Sequence, residues 1–349
     1  MPTSTDVRDP TSMFSSDAFI YNGIISKFCV ERIHYNRADV SFNLEARKWF
    51  TLMSVILLPT LLLINAPFGR FTPKNQKSLF MVDGIKSWIV MELVSPLTFI
   101  YTFYTSPLSA STTPLQWKSP NAILSMCFIL HYANRAVINP LRTPSRSKSH
   151  LIVPLSAVVF NLINGSLMGS YLSSSDARNF LSARSPTPFY MGLTLWAFGF
   201  IGNIMHDEIL LDIRRKANSK GKSKAEAGEH YAIPHGGLYT LVSYPNYLCE
   251  WIEWLGFAIA ASPFPFPLDN ISTASIFSIF TTLLDPKLYI TIINEPGYLF
   301  APNLSPPWIF FISEVFLMLP RAYRGHQWYK SKFGTCYPKE RRAVIPFVL

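Results

Sequence analysis

The stretch that most directly indicates the fold of this chain is TPFYMGLTLWAFGFIGNIMHDEILL, residues 187–211. It is long enough for an α-helix to cross the hydrocarbon core of a bilayer, which takes roughly 20 residues. Polar residues enter it near one end, where Asn203 and Asp207 are separated by about one helical turn. We therefore expect a membrane-crossing helix that carries a polar strip at one end.

Comparable apolar runs recur along the chain. The predicted spans are residues 49–66, 87–105, 121–141, 151–173, 187–211, 239–262 and 307–323. Only 15% of the residues are charged and 49% are hydrophobic, whereas soluble domains carry roughly 25% charged residues. The sequence therefore predicts an all-α, polytopic membrane protein with seven transmembrane helices. Residues 49–349 would form the membrane domain, and residues 1–48 a polar N-terminal segment.

Basic residues are distributed unevenly between the predicted loops. Nineteen Lys and Arg residues lie in 67–83, 141–150, 212–238 and 321–349, but only four lie in 107–119, 174–187 and 264–305. The positive-inside rule then predicts a cytosolic C-terminus and a luminal N-terminus. This topology puts a glycosylation sequon at Asn270 inside a luminal insertion, residues 263–305. Because the basic residues flank spans instead of forming one stripe, membrane orientation explains the net charge of +10 better than nucleic-acid binding.

Several functional classes are disfavoured by missing motifs. The four cysteines, Cys29, Cys127, Cys249 and Cys336, lack the spacing of a zinc site or a disulfide framework, so no metal is predicted. No glycine-rich Rossmann or P-loop motif occurs, so a nucleotide would need another kind of site. No cleavable signal peptide is predicted, and the first span would act as the targeting signal.

Two predicted spans carry ionisable or polar residues where hydrocarbon is expected, and such residues mark functional sites by default. Glu92 lies in WIVMELVSPLTF, with no basic residue within five positions. Tyr132 and Arg135, in HYANR, share one helical face and suit hydrogen bonding to a substrate carbonyl. The alternatives are a Glu that reaches the membrane interface, and an interfacial Tyr beside an extended Arg side chain.

Polar stripes follow on two consecutive helices. Asn203, Asp207 and Arg214 lie within about 40° of one another on one helix. Asn246, Glu250 and Glu253 form a similar stripe on the next. Two facing stripes predict a shared polar cavity, although structural hydrogen bonds between the helices are the alternative.

The segment after the last span carries Arg321, Arg324, His326 and Tyr329. Guanidinium groups bind phosphate oxygens through paired hydrogen bonds, so this segment suits a phosphate-bearing ligand at the cytosolic mouth. Anchoring by positive charge is the alternative for Arg324.

From Glu92 to Leu349 the chain resembles the steroid 5α-reductase family. The resemblance is carried by GNIMHDEILLDIRRK (202–216), YAIPHGGLYTLVSYPNYLCEWIEWLGFAIA (231–260) and HQWYKSKFGTCYPKERRAVIPFVL (326–349), with further support from FNLINGSLMGSYL (160–172) and HYANR (131–135). These segments occur in the order and at the separations expected for the family.

The resemblance implies a seven-helix fold, residence in the endoplasmic reticulum and NADPH-dependent reduction of a C=C bond conjugated to a ketone. It assigns carbonyl polarisation to Glu92 and Tyr132. The residues it assigns to NADPH are Arg135, Asn203, Asp207, Arg214, Tyr231, Asn246, Glu250, Arg321 and Tyr329. The expected substrate is a lipid-soluble polycyclic enone and the other expected partner is membrane lipid, while the oligomeric state, a monomer included, stays open.

Departures from the family pattern bear on the substrate. Met91 replaces a Gln, Gly325 replaces a His, and the insertion 263–305 is long, so a sterol or terpenoid is as suitable as a steroid. The alternative functions are a very-long-chain trans-2-enoyl-CoA reductase and, more remotely, an isoprenylcysteine-type methyltransferase. A receptor or transporter would need neither Glu92 nor Tyr132.

Overall fold

The computed structural model describes residues 37–72, 79–109, 116–219, 231–265, 281, 285–300 and 304–349. Most of these residues belong to nine helices: α1 Arg37–Leu63, α2 Gly84–Thr105, α3 Pro120–Tyr132, α4 Ile152–Ser173, α5 Ser175–Ala183, α6 Pro186–Ser219, α7 Pro245–Ala261, α8 Pro286–Asn294 and α9 Pro306–Phe333. Strands β1 Met81–Val82 and β2 Ser149–His150 pair in antiparallel fashion. The predicted helical class is confirmed, whereas Asn270 and much of the insertion lie outside the described residues.

Each predicted span overlaps one long helix, but the ends differ. α1 is described from Arg37, twelve residues before the predicted span, and its Lys48 Nζ donates to the Glu295 carbonyl in the described part of the insertion at 2.8 Å. α2 begins at Gly84 because the Asp83 side chain caps it, accepting from the backbone N–H of Lys86 at 2.8 Å. α9 continues to Phe333, ten residues beyond the predicted span.

The predicted start of the sixth span was wrong. Helix α7 begins at Pro245, not at residue 239. The preceding residues form a 3₁₀ turn, Gly237–Thr240, and then an extended segment that pairs with the C-terminal tail. In that pairing the Ser243 N–H donates to the Arg342 carbonyl at 2.8 Å. The N–H groups of Ser243 and Tyr244 and the carbonyl of Leu241 are therefore satisfied by the tail instead of by a helix.

The outer surface is apolar. Helices Ala38–Leu63 and Ile152–Ser173 are long and apolar enough to cross a bilayer by length and composition alone. Other helices also present large apolar side chains outward: Val90 and Leu97 on α2 are each 62% exposed, and Phe198 on α6 is 70% exposed. Soluble monomers rarely expose such contiguous apolar surface. These features indicate association with a membrane.

Helices α6 and α7 approach each other through glycines. A Cβ atom added at Gly199 would lie 2.3 Å from the Glu253 backbone nitrogen, and one at Gly192 would lie 2.6 Å from the Gly256 carbonyl oxygen. Small residues allow helix backbones to pack this closely. The contact brings the polar stripe of α6 within hydrogen-bonding reach of the stripe of α7.

The contact between α2 and α4 has the same basis. A Cβ atom at Gly165 would lie 2.2 Å from the Ser95 carbonyl oxygen. Close packing here brings Asn161 Nδ2 to the Met91 carbonyl at 2.8 Å. Below these contacts an aromatic core that includes Phe128, Trp254 and Phe310 joins α3, α7 and α9.

Candidate active site

A large cavity of about 630 Å³ lies between helices α1, α2, α3, α4, α6, α7 and α9. Its two halves differ in chemistry. The polar half is lined by Arg135, just after α3, and by four residues of α6 and α7, namely Asn203, Asp207, Asn246 and Glu250. The apolar half is lined by residues of α1 and α4, namely Leu57, Leu61, Val153, Ala157 and Phe160. The cavity can therefore hold a ligand with a polar part and a hydrocarbon part.

Tyr132 is buried at the end of α3 and lines this cavity. Its hydroxyl oxygen accepts a hydrogen bond from Asn164 Nδ2 at 3.0 Å, and Asn164 Nδ2 also approaches Ser95 Oγ at 3.2 Å. With this bond accepted, the phenol proton remains available to a ligand. Asn164 was not singled out from the sequence, although it lies in one of the family motifs.

Arg135 joins the carboxylates of two helices. Its Nη1 lies 3.1 Å from Glu250 Oε1 and its Nε lies 3.6 Å from Glu92 Oε1. Glu92 has no basic neighbour in sequence, and the structure supplies one from another helix. Asn203 Nδ2 adds hydrogen bonds to Glu250 Oε2 at 3.3 Å and to the Asn246 carbonyl at 3.0 Å. No hydrogen bond joins Glu92 to Tyr132 among the described side chains, although the two groups are close enough to interact electrostatically.

A π-helical turn, Ala133–Ile138, follows Tyr132 directly. π-turns are frequent at functional sites because they change the phase of a helix and release backbone groups. The Trp88 Nε1–H donates to the Arg135 carbonyl at 3.2 Å, which satisfies one such group. Tyr132 and Arg135 both face the cavity, as their spacing predicted.

Asp207 is held by two amides. Asn139 Nδ2 donates to its Oδ2 at 2.8 Å, and Asn246 Nδ2 donates to its Oδ1 at 2.9 Å. The Asn246 Oδ1 atom is buried without a hydrogen-bond partner in the described structure. A carboxylate fixed in this way, beside an unused acceptor, is suited to a ligand that donates hydrogen bonds.

Glu253 does not join the cavity, although its helical phase grouped it with Asn246 and Glu250. Its side chain is fully buried, and Oε1 lies 2.7 Å from His131 Nδ1. The pair links α7 to the residue just before Tyr132. For Glu253 the alternative interpretation, a structural hydrogen bond between helices, is therefore the one that the geometry favours.

Arg70, which precedes β1, was missed by the sequence analysis. Its guanidinium carbon lies 4.4 Å from the ring centre of Tyr329, 4.8 Å from Trp328, 5.2 Å from Tyr231 and 5.5 Å from Tyr244. Its Nη1 atom is buried and has no hydrogen-bond partner in the described chain. Burial opposes its charge, but the surrounding phenol oxygens hold the pKa of Arg70 above its ordinary value. An anion is the ligand that would use this donor.

Two arginines of α9 lie at the same end of the cavity. Arg321 Nε donates to the Tyr247 hydroxyl at 3.1 Å, and its guanidinium lies 3.5 Å from the ring centre of Phe68. Arg324 donates to the Asn65 side chain and, at 2.6 Å, to the Leu62 carbonyl, so it also anchors the end of α1. Together with Arg70 these residues make this end strongly cationic.

His326 has a structural position behind the cavity instead of a lining one. Its Nδ1 lies 2.6 Å from Ser243 Oγ, which lies at the same distance from the Tyr337 hydroxyl. Burial, with Lys330, Arg341 and Arg342 adding repulsion, lowers the pKa of His326 to about 4. The neutral ring helps to fix the extended segment that leads to Tyr244.

His206 fixes the turn before that segment. Its Nδ1 lies 2.6 Å from the Gly202 carbonyl and must donate to it, which leaves Nε2 to accept from the Leu238 N–H at 3.0 Å. Gly237 has φ +52°, and a Cβ atom there would lie 2.7 Å from His206 Nε2. A glycine is therefore required where this turn meets α6.

The structure explains why position 325 is a glycine and not the His of the family pattern. A Cβ atom at Gly325 would lie 1.6 Å from the Tyr244 hydroxyl oxygen. The phenol of Tyr244 therefore occupies the space into which a side chain at position 325 would project. A His at position 325 is incompatible with Tyr244 in this place.

All eleven residues predicted for the site line this one cavity: Glu92, Tyr132, Arg135, Asn203, Asp207, Arg214, Tyr231, Asn246, Glu250, Arg321 and Tyr329. Their roles in catalysis or cofactor binding stay predictions. The sequence analysis missed several ionisable residues of the lining, among them Arg70, Arg146 and Glu314. Glu314 lies inside a predicted span, so the rule that identified Glu92 applies equally to it.

The amino-acid sequence of the chain is similar to those of several known proteins. A family model described as 3-oxo-5-alpha-steroid 4-dehydrogenase matches residues 147–284 and 271–349. An uncharacterized protein of Schizosaccharomyces pombe is 36% identical over 325 residues, which is 88% of this chain and 100% of that protein.

Two relatives with named activities also match most of the chain. The 3-oxo-5-alpha-steroid 4-dehydrogenase 1 of Rattus norvegicus is 30% identical, covering 85% of this chain and 92% of its own length. The steroid 5-alpha-reductase DET2 of Solanum lycopersicum is 27% identical, covering 84% of this chain and 93% of its own length. The similarity therefore extends well beyond the short motifs of the cavity.

Proposed function

Because the chain belongs to the 3-oxo-5-alpha-steroid 4-dehydrogenase family, it is an oxidoreductase of that kind, and we propose that it reduces a C=C bond conjugated to a ketone. The substrate in this proposal is a lipid-soluble steroid, sterol or polycyclic terpenoid, and the reductant is NADPH. The observation that carries the proposal is Tyr132. Its hydroxyl accepts from Asn164 and lines a cavity with one polar and one apolar half.

The polar half fits a phosphate-bearing nicotinamide cofactor. Arg70 Nη1 is a buried donor without a partner and Asn246 Oδ1 is an acceptor without one, both in the described structure and both in residues that line the cavity. In this proposal the cofactor is held by Arg135, Asn203, Asp207, Arg214, Tyr231, Asn246, Glu250, Arg321 and Tyr329, with Arg70 as a further phosphate contact. When bound, NADPH supplies the hydride for the β-carbon of the enone.

The residues of this chain contribute polarisation and positioning. The Tyr132 hydroxyl donates a hydrogen bond to the ketone oxygen, which draws electron density from the β-carbon and stabilises the negative charge that develops on that oxygen. Arg135 orients Glu92 beside the ketone. Asn164 fixes the Tyr132 hydroxyl so that its proton points away from Asn164 Nδ2. The reaction ends when the α-carbon accepts a proton.

The same proposal includes the membrane arrangement. Helices α1, α2, α3, α4, α6, α7 and α9 form seven spans in the endoplasmic reticulum, with a luminal N-terminus and a cytosolic C-terminus. The apolar outer surface and the cationic end of the cavity support this orientation. NADPH would reach the polar half from the cytosol, and the substrate would reach the apolar half from the bilayer.

The test is turnover of purified protein in membranes with NADPH and a panel of steroid enones, terpenoid enones and enoyl-CoA thioesters. We expect enone-dependent oxidation of NADPH that falls by about 100-fold or more in Tyr132→Phe and in Glu92→Gln. Tyr171→Phe is the matched control, because its buried hydroxyl donates to the Ala261 carbonyl at 3.0 Å and lies outside the cavity lining. Full turnover in both site variants would exclude this role, and turnover of enoyl-CoA alone would favour the acyl-CoA alternative.

A further inference from the structure

Helix α9 presents one strip of side chains to the cavity. Phe310, Glu314, Leu317, Met318 and Arg321 all line it, at the three- and four-residue spacing of one helical face. The rotation of the helix is fixed from its other side. There Ser313 Oγ, which is buried, accepts a hydrogen bond from Ser54 Oγ of α1 at 2.8 Å. Glu314 is therefore held toward the cavity by the packing of its neighbour.

The surroundings of Glu314 on this strip are hydrocarbon. Phe310 lies one turn before it and is 2% exposed, and Leu317 lies one turn after it. Across the cavity, the Glu314 carboxyl group lies within electrostatic range of Tyr132 and Arg135. Arg321 is the next charged residue of the strip and lies about 10 Å further along the helix axis, at 1.5 Å per residue. Glu314 thus places a carboxyl group within the otherwise apolar stretch of α9.

The carboxyl group of Glu314 forms no hydrogen bond or ion pair with any residue in the described part of the chain. Arg135 is near enough for its charge to act on Glu314, together with the charges of Glu250 and Glu92. The Arg135 guanidinium, however, is already engaged by those two carboxylates at 3.1 and 3.6 Å. A carboxyl group in apolar surroundings is costly unless a donor satisfies it. A bound substrate can supply that donor.

We propose that Glu314 is a substrate-recognition residue that accepts a hydrogen bond from a hydroxyl group carried by the polycyclic enone at a ring carbon other than that of the reacting ketone. This inference rests on the proposed function and narrows its substrate class to hydroxylated polycyclic enones. Tyr132 and Glu92 contact the ketone, and Glu314 contacts the second oxygen. The two polar contacts fix the ring system in one orientation, which the apolar half alone cannot do because its contacts are not directional.

The experiment uses the full chain in membranes with NADPH and matched pairs of polycyclic enones. Within each pair one compound carries a single hydroxyl group and the other carries hydrogen at that carbon, and the hydroxyl is moved between ring positions from pair to pair. We expect wild-type kcat/KM to favour the hydroxylated member of at least one pair by about 10- to 100-fold. Glu314→Leu should remove that preference by slowing the hydroxylated substrate alone.

Two further variants separate recognition from structure. Glu314→Gln keeps an acceptor oxygen and should retain part of the preference. Leu317→Val alters the shape of the same strip without altering its polarity, so it should change both members of a pair by the same factor. Stabilisation of each variant by NADPH, measured as a shift in its unfolding temperature, reports whether the polar half is still formed.

The remaining outcomes overturn the inference. Wild-type protein that shows no hydroxyl preference in any pair would exclude recognition by Glu314. Equal slowing of both members of a pair in Glu314→Gln, with an altered pH profile, would instead identify Glu314 as a proton donor. If wild-type protein turns over no enone at all while still being stabilised by NADPH, the proposed function itself is wrong, and the inference with it.

Discussion

In the polar half of the cavity Arg135, Glu250 and Asn203 are joined to one another by hydrogen bonds and ion pairs, whereas in the apolar half Leu57 and Leu61 present only hydrocarbon. The first arrangement fixes each side chain in one position before a ligand arrives. The second arrangement sets the size and shape of the space for a ligand, but it offers few directional hydrogen bonds. A cofactor of constant structure is suited to the first half, and a group of related lipids to the second. We therefore expect substitutions in the polar half to affect folding as well as turnover, and those in the apolar half to affect mainly substrate choice.

The largest effect expected from this comparison is that of breaking the Arg135 cluster. Arg135→Leu leaves the buried Glu92 and Glu250 carboxylates without their cation, which should cost about 3–5 kcal/mol of stability. Arg142→Leu is the matched control, because its pair with Glu208 is partly exposed and should contribute about 0–1 kcal/mol. Chemical unfolding of both variants measures the difference. Similar losses would show that the cluster is not buried in the folded protein.

A smaller effect is expected from separating α6 and α7. Gly199→Ala places a Cβ atom 2.3 Å from the Glu253 backbone nitrogen, and overpacking of this kind costs about 1–3 kcal/mol. The hydrogen bonds between the two polar stripes should weaken, and the KM for NADPH should rise. Gly202→Ala meets mainly the movable Cys249 sulfur, at 2.8 Å, and should be milder. If Gly202→Ala were the more damaging change, the helices would be spaced differently from the structure.

A substitution in the apolar half should affect the enone substrate and not the cofactor. Leu57→Ala removes hydrocarbon from the cavity lining and should lower kcat/KM for the enone by about 10-fold, since a few lost methyl groups are worth about 1–3 kcal/mol. The KM for NADPH should not change. Leu58→Ala, on the same helix but outside the cavity lining, should affect neither value. A change in NADPH binding in Leu57→Ala would mean that the two halves are not independent.

The smallest effect concerns pH. Because the pKa of His326 in the fold is about 4, below its ordinary value of 6.5, the fold favours the neutral ring. The stability that His326 contributes is complete above pH 6.5 and is lost as pH falls from 6.5 toward 4. The unfolding temperature should fall as the pH is lowered through this range, and it should fall less in His326→Asn. An unchanged pH dependence in His326→Asn would assign the loss to other groups.

The sequence was sufficient to predict the helical class and part of the cavity lining, because helical phase brings Asn203 and Asp207 to one face, whereas Tyr231 was identified only through the family resemblance. It failed where tertiary contacts replace local regularity. Residues 239–244 were predicted as helix. In the structure residues 239 and 240 end a 3₁₀ turn, and the residues after them pair with a tail about a hundred residues later in the chain. Glu253 has the right phase for the cavity, and only the position of His131 shows that it faces elsewhere.

Arg70 and Glu314 were both missed by the sequence analysis, but for different reasons. Arg70 lies in a loop whose charge was explained by membrane orientation, and its aromatic surroundings come from distant segments that no local pattern reveals. Glu314 was open to prediction, because an ionisable residue inside a predicted span is unusual wherever it occurs. It was overlooked because the resemblance to a family directs attention to the positions that match the family's motifs.

The pairing of residues 241–244 with the tail also sets an order for biosynthesis. The long helices that precede α9 all end by Ala261, so they can enter the membrane while the ribosome is still translating the rest. The segment that carries Ser243 and Tyr244 lacks its backbone partners until Arg342 and Ala343 have been made. A chain interrupted between α9 and Arg342 would thus be inserted but unable to complete the rim around Arg70. Such a chain would reach the membrane with the cationic end of its cavity incomplete.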